Sequence, residues 1–227
     1  MMAVIARVGL LLLLLSGAAQ AQQVTAAQLP LKDDDGAPMA NHVLRPGQMA
    51  QVERLPGLVA VGAPDADVTL YQFYDLNCPF CREAAADVDT LIRNDPRLRL
   101  VFVPYAVLSI QSAEGAKVEL AIRELGTPRQ FLEFHRRIYA GRGQIDGNRA
   151  LAVAQSLGFD RNRLIDVANT PRITDILRSH ARFGDEARLM VTPSYVIENV
   201  AVLGHPGLES LRHVIAAVRR CGAVVCG

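Results

Sequence analysis

The sequence carries almost no net charge, formally +1 at pH 7, and its basic residues are scattered along the chain. That excludes the concentrated positive surface on which nucleic acid or an anionic membrane depends. Lysine is scarce, so nearly every cation is arginine; without clustering this is compositional bias and not phosphate recognition. An apolar run long enough to span a membrane is also missing. A span takes about 20 apolar residues, whereas the stretch from Val8 to Leu15 breaks at Ser16-Gly17. Arg7 precedes it and the small-x-small triplet Ala19-Gln20-Ala21 follows, so residues 1–21 read as an export signal and Gln22 as the mature N-terminus. No cysteine follows the apolar run, which argues against a lipid-anchored form. His42, His135, His180, His205 and His213 show no metal-ligand spacing. His135 and His180 fall in helical patterns as packing residues, and His205 reads as a turn residue, with approach to the active site as the alternative.

With the signal removed, roughly 200 residues remain, enough for one domain with a sizeable core. Residues 22–57 carry Pro30, Pro38, Pro46 and Pro56 around Asp33-Asp34-Asp35-Gly36. Such a composition buries little and predicts an extended N-terminal arm; a partner-binding or oligomerising arm is the alternative. Residues 58–62 and 68–74 predict strands, as do Leu98–Val103. Between the last two, Ala84, Ala85, Val88, Leu91 and Ile92 mark a helical stripe that Asn94-Asp95-Pro96 stops. Strand, helix and strand at this spacing imply a parallel pair. Repeated helix starts follow at Ser112, Thr127-Pro128, Asp146 or Asn148, Asp160 and Thr170-Pro171. The β pattern then returns in Ser194–Ile197 and Ala201–Leu203, joined by Glu198-Asn199-Val200, before a last helix carrying Leu208, Leu211, Val214, Ile215 and Val218.

Chemistry concentrates at Cys78-Pro79-Phe80-Cys81, where a strand hands over to a helix. Two thiols three positions apart close a small disulfide ring. The first also meets the free N–H groups and positive dipole end of the helix, which favour a thiolate. Thiol–disulfide exchange needs that arrangement. The same spacing serves zinc, and a four-cysteine site with Cys221 and Cys226 is the rival. The irregular spacing of the second pair argues against it. In an oxidising compartment Cys221 and Cys226 read as a structural disulfide fastening the last helix, with a second redox pair as the alternative.

The element order, with Gly62-Ala63-Pro64, Phe73-Tyr74-Asp75-Leu76-Asn77-Cys78-Pro79-Phe80-Cys81-Arg82, Val191-Thr192-Pro193-Ser194-Tyr195 and Gly204-His205-Pro206-Gly207, resembles the DsbA family of exported thiol–disulfide oxidoreductases. The resemblance implies an α/β thioredoxin fold over residues 58–227 with an inserted helical domain at about 106–188. It implies Cys78 as the exposed nucleophile, Cys81 as the resolving thiol, and support from Pro79, Phe80, Thr192 and Pro193. Pro193 would be a cis-proline facing the disulfide. Relatives often hold a buried carboxylate six residues before the first cysteine; Gln72 stands there in this sequence. Asp75 is the nearest acid, read as a residue fixing the turn, with proton transfer as the alternative. Phe80 replaces a histidine of the strongly oxidising member and cannot stabilise the thiolate by charge, so a milder redox poise is expected. The expected role is that of a periplasmic oxidase acting on exported polypeptides with cysteines, since no dimerisation domain is evident, and reoxidised by a membrane partner. No cofactor, metal or nucleic acid is expected. An isomerase or reductase, kept open by Thr192, and a redox-inert binding or metal-handling protein are the alternatives.

Overall fold

The computed structural model describes residues 28–227, so the export signal expected over 1–21 lies outside the described residues. Among the described residues six strands form one mixed sheet: β1 (Asn41–Val43), β2 (Val59–Gly62), β3 (Val68–Tyr74), β4 (Leu98–Pro104), β5 (Ser194–Ile197) and β6 (Val200–Leu203). Their spatial order is β1-β6-β5-β3-β4-β2. β3 and β4 run parallel, from Val68 opposite Leu98 to Tyr74 opposite Pro104. The other pairings are antiparallel. Helix α2 (Pro79–Asn94) supplies the crossover that a parallel pair needs.

A short helix, α1 (Gln48–Val52), precedes β2. Five helices then separate β4 from β5: α3 (Ile110–Leu125), α4 (Pro128–Ala140), α5 (Gly147–Ser156), α6 (Arg161–Ala168) and α7 (Pro171–Glu186). Local chemistry starts four of them. Ser109, Asp146 and Asp160 each accept a backbone N–H three residues on, and Thr127 forms a reciprocal capping box with Gln130. Helix α8 (Leu208–Cys221) closes the chain. No helix among the described residues is long and apolar enough to cross a membrane.

Alternation along the strands divides the interior into two layers. Leu70, Tyr74, Leu100, Phe102, Tyr195 and Ile197 face one side and share a core with α2, α8 and the inserted helices. Tyr71, Phe73, Val101, Val103 and Val196 face the other, against Phe183 and Ala187 at the end of α7. Burial on both faces explains why Leu70 and Tyr71, Phe73 and Tyr74, and Leu100–Val103 are apolar without alternation.

One expectation is corrected by the N-terminal segment. Residues 28–57 bury Leu31, Met39, Leu44 and Val52 instead of trailing as an arm. β1 pairs with β6, Asn41 opposite Val202, at the edge of the sheet. Asn41 itself is buried, its side chain accepting the Leu29 N–H and donating to the Leu29 carbonyl, both at 2.8 Å. Backbone pairing holds this segment, and composition does not report it. In the β5–β6 hairpin Val200 is the first residue of β6 and not part of the turn; Glu198 turns the chain with φ of 51°.

Candidate active site

At the end of β3 the chain turns through Asp75-Leu76-Asn77 into α2, and the Asp75 carboxylate builds that turn. One oxygen accepts the Asn77 N–H at 2.8 Å and the Ser112 hydroxyl at 2.6 Å. The other accepts the N–H groups of Val107 at 2.9 Å and Leu108 at 3.0 Å. Four donors occupy the carboxylate and none is a cysteine, which fits the turn-fixing reading of Asp75 and not proton transfer. The Asp75 carbonyl accepts the Cys78 N–H and the Tyr139 hydroxyl, both at 3.1 Å. Asn77 pairs with the backbone of Ile145 in both directions, donating at 2.8 Å and accepting at 2.7 Å. Arg82 donates to the carbonyls of Tyr139 and Gly141 and lies over the Tyr139 ring at 5.5 Å. The start of α2 is thereby riveted to the inserted helices.

Cys78 is the N-cap of α2, and Pro79 takes the first helical position, where its missing N–H costs nothing. The Thr192–Pro193 bond is cis, and the Thr192 carbonyl lies 3.0 Å from the Cys78 sulfur. This loop covers the cysteine, leaving Cys78 only 4% exposed and Cys81 1%. Cys78 is therefore not the exposed sulfur that its position before the helix suggests. Its environment still favours ionisation. A hydrogen bond from the Cys81 thiol, with further ones from the Thr192 hydroxyl and the backbone N–H groups of Cys81 and Phe80, holds the Cys78 pKa down to about 6 against the opposing effect of burial. Burial pushes the Cys81 thiol far upward, and its hydrogen bond and the charge of Cys78 push the same way. One sulfur is arranged to be a thiolate and the other to keep its proton.

Around this pair the surface is apolar. Phe80, between the cysteines, is 61% exposed, and Val107, Leu108, Ile110, Met190 and Val191 are also exposed. Met190 and Val191 lead directly into Thr192, whose carbonyl meets Cys78, and the backbone N–H groups of Val107 and Leu108 are tied to Asp75, three residues before Cys78.

The structure brings Cys78, Cys81, Pro79, Phe80, Thr192 and Pro193 together. It keeps Cys221 and Cys226 apart from them, joined by a disulfide that ties the tail to the last residue of α8. With two of the four sulfurs bonded to each other, a four-thiolate zinc site loses its ligands. His180 is buried, its ring nitrogens 2.9 Å and 2.7 Å from the carbonyls of Pro104 and Pro56. His205 is no mere turn residue: it joins the Tyr195 hydroxyl at 2.8 Å to the Asp87 carboxylate at 2.9 Å. Asn77, Arg82, Ser112, Tyr139 and the buried Glu119–His135 pair, 3.1 Å apart, have roles in the structure that the sequence reading does not assign to them. Asn77 and Arg82 flank the cysteines directly, a signal that was available; the others lie far along the chain.

Sheet and site together define a thioredoxin-fold protein with a helical insertion before the cis-proline loop. The chain belongs to the thioredoxin family, whose model matches residues 54–217. It is similar to a thioredoxin-like oxidoreductase from Silicibacter pomeroyi, with 27% identity over 78% of this chain and 99% of that one, at a TM-score of 0.68. The fold is shared with the thiol-disulfide exchange protein alpha-DsbA2 from Wolbachia pipientis, 20% identical over 76% and 94% of the two chains, TM-score 0.69. BdbD from Bacillus subtilis shares it too, 17% identical over 71% and 92%, TM-score 0.62. No curated protein sequence matches the chain.

Proposed function

We propose that the protein is an exported thiol–disulfide oxidoreductase that introduces disulfides into other exported polypeptides. The observation that carries this is the opposed pair of sulfurs at the start of α2, Cys78 held near pKa 6 and Cys81 driven upward. A stabilised thiolate favours the reduced form of the pair, which makes its disulfide a better oxidant than an unperturbed one. In the forward reaction a substrate thiolate attacks Cys78 in the Cys78–Cys81 disulfide. The S–S bond breaks, Cys81 leaves and takes a proton, and a mixed disulfide joins Cys78 to the substrate. A second substrate thiolate attacks that bond, leaving with a substrate disulfide while Cys78 departs as thiolate. Two electrons pass to the protein, and a membrane redox partner removes them. The apolar border formed by Phe80, Met190 and Val191 suits unfolded chains, which expose apolar side chains beside their cysteines. Export to the periplasm rests on Arg7, Val8–Leu15 and Ala19-Gln20-Ala21.

Refolding of reduced, denatured ribonuclease, run beside insulin reduction and a titration against glutathione, tests the proposal. Rapid formation of ribonuclease disulfides and a potential above that of glutathione support the oxidase. Insulin reduction without oxidation assigns the reductase or isomerase direction. Inactivity of the intact protein in both assays overturns exchange altogether.

A further inference from the structure

Under the exchange reading above Cys78 is the nucleophile, yet it is a free thiol only 4% exposed. A substrate sulfur reaches it only when its cover lifts. That cover is the segment from Leu189 to Pro193, whose Thr192 carbonyl lies 3.0 Å from the Cys78 sulfur. Hydrogen bonds hold the segment down along its length. The Tyr105 hydroxyl donates to the Leu189 carbonyl at 3.3 Å and the Ser194 hydroxyl to the Val191 carbonyl at 2.7 Å. At the far end the Gly204 N–H donates to the Pro193 carbonyl at 2.9 Å. Met190 and Val191, between these anchors, are exposed, so packing adds little.

The Pro193 end is tied further, to the redox helix itself. Gly204 turns the chain out of β6 with φ of 89°, a conformation that favours glycine. The next residue, His205, places Nε2 2.9 Å from Asp87 Oδ2 on α2 and Nδ1 2.8 Å from the Tyr195 hydroxyl. A carboxylate only accepts, so Nε2 carries the hydrogen, and in the neutral ring Nδ1 accepts from Tyr195. Tyr195 is fully buried and paired on both sides in the sheet, opposite Gln72 and Val202, which gives the ring one fixed end. The contacts close a circuit. It runs from Cys78 along α2 to Asp87, through His205 to Gly204, and by Pro193 and Thr192 back to Cys78. Asp87 stands roughly 13 Å along the helix from Cys78, so the loop is held against α2 at two separate points.

We propose, building on the exchange reading, that His205 is a positioning residue that keeps the cis-proline segment closed over Cys78 by strapping the Gly204 turn to Asp87 of α2. While the strap is made, the Gly204 N–H stays aimed at the Pro193 carbonyl and the cover stays down. When it breaks, the turn comes free of α2, the Pro193 bond loosens and the sulfur is uncovered. Admission of a substrate is then governed by a local opening equilibrium as well as by the thiolate. His205 acts through the loop and touches neither sulfur.

The test is the rate at which iodoacetamide modifies Cys78 in the reduced protein above about pH 8, where the thiolate is complete and the rate reads opening. His205→Ala and Asp87→Ala should each raise it about tenfold, the lower end of what losing a hydrogen bond to a charged group does to an equilibrium. The double variant should also gain about tenfold and not about a hundredfold, because either substitution breaks the same link. Asp87→Asn keeps an acceptor for Nε2 and should stay within about threefold of wild type. These rates should stay flat in urea below the unfolding transition, since a local opening exposes little surface. Rates within about twofold of wild type in both alanine variants overturn the strap. A double variant whose gain is the product of the two single gains also overturns it. So does a gain that climbs with urea in step with global unfolding, the mark of mere destabilisation. Alkylation needs no exchange partner, so these outcomes decide the strap separately from the ribonuclease and insulin assays that decide exchange.

Discussion

Removing the Cys81 thiol takes away the largest of the influences holding Cys78 down. A hydrogen bond to a charged group is worth about 1.5–3 kcal/mol, so Cys81→Ala should raise the midpoint of Cys78 alkylation by about one to two pH units. Iodoacetamide rates between pH 4 and 10 measure it, with the wild-type midpoint near 6. A midpoint unmoved by the substitution would assign the thiolate to the helix terminus alone. The same shift fixes the sign of the pH dependence. Cys78 sits near 6 when folded and near the ordinary cysteine value of about 8.5 when unfolded. Its thiolate therefore stabilises the reduced protein fully above about pH 8.5, and that contribution disappears as pH falls through 6. Unfolding midpoints of reduced and oxidised protein across that window should diverge accordingly. Phe80 points into solvent and offers the sulfur no charge. Phe80→His should lower the alkylation midpoint and raise the reduction potential by about 30 mV per pH unit. These residues are legible in the sequence because their chemistry is local: both sulfurs, the proline and the helix start lie within four positions. The covering of Cys78 was not legible, because the loop that buries it arrives more than a hundred residues later.

At the scale of elements, the same distinction separates helix starts from helix anchoring. Thr127, Asp146 and Asp160 announce their helices because each bonds a backbone group three residues on. The bonds that hold α2 to the insertion span far more chain: Asn77 to Ile145, Arg82 to Gly141, Asp75 to Ser112. No local pattern encodes them. Asp75 binds three elements at once, so Asp75→Ala leaves the part-buried N–H groups of Val107 and Leu108 without their acceptor. A loss of about 2 kcal/mol in urea unfolding is expected, the low end of about 1–3 kcal/mol for each stranded polar group. The proton-transfer alternative predicts something else, a changed pH profile for disulfide closure at unchanged stability. Measuring both quantities on the one variant separates the two roles.

For the whole molecule, the α/β class and the parallel centre follow from periodicity and the position of the insertion from the family resemblance, but the edge of the sheet follows from neither. Leu31, Met39, Leu44 and Val52 are spaced without a helical or strand period and are interrupted by prolines. Their burial arises because β1 completes an edge that β6 would otherwise leave open. Val224, within the loop closed by the Cys221–Cys226 disulfide, packs into the same core as Leu31 and Met39. That disulfide closes a short loop, so Cys221→Ala with Cys226→Ala should cost about 2 kcal/mol on the chain-entropy model, with ribonuclease oxidation unchanged. Deleting residues 28–45 is the more severe test. It removes three buried apolar side chains, Leu31, Met39 and Leu44, each worth about 1.5–3 kcal/mol of burial. It also exposes the N–H and C=O groups of β6 from Val200 to Val202 as an open template for another chain. The truncated protein should unfold at lower urea and sediment as concentration-dependent oligomers, while Cys78 keeps its alkylation midpoint, because the hydrogen bonds that lower it come from Cys81, Thr192 and Phe80 and not from the deleted residues. A truncated protein as stable and as monodisperse as the parent would return the segment to the role of an arm. Loss of the Cys78 midpoint along with stability would instead mean that the edge strand and the redox helix stand or fall as one cooperative unit.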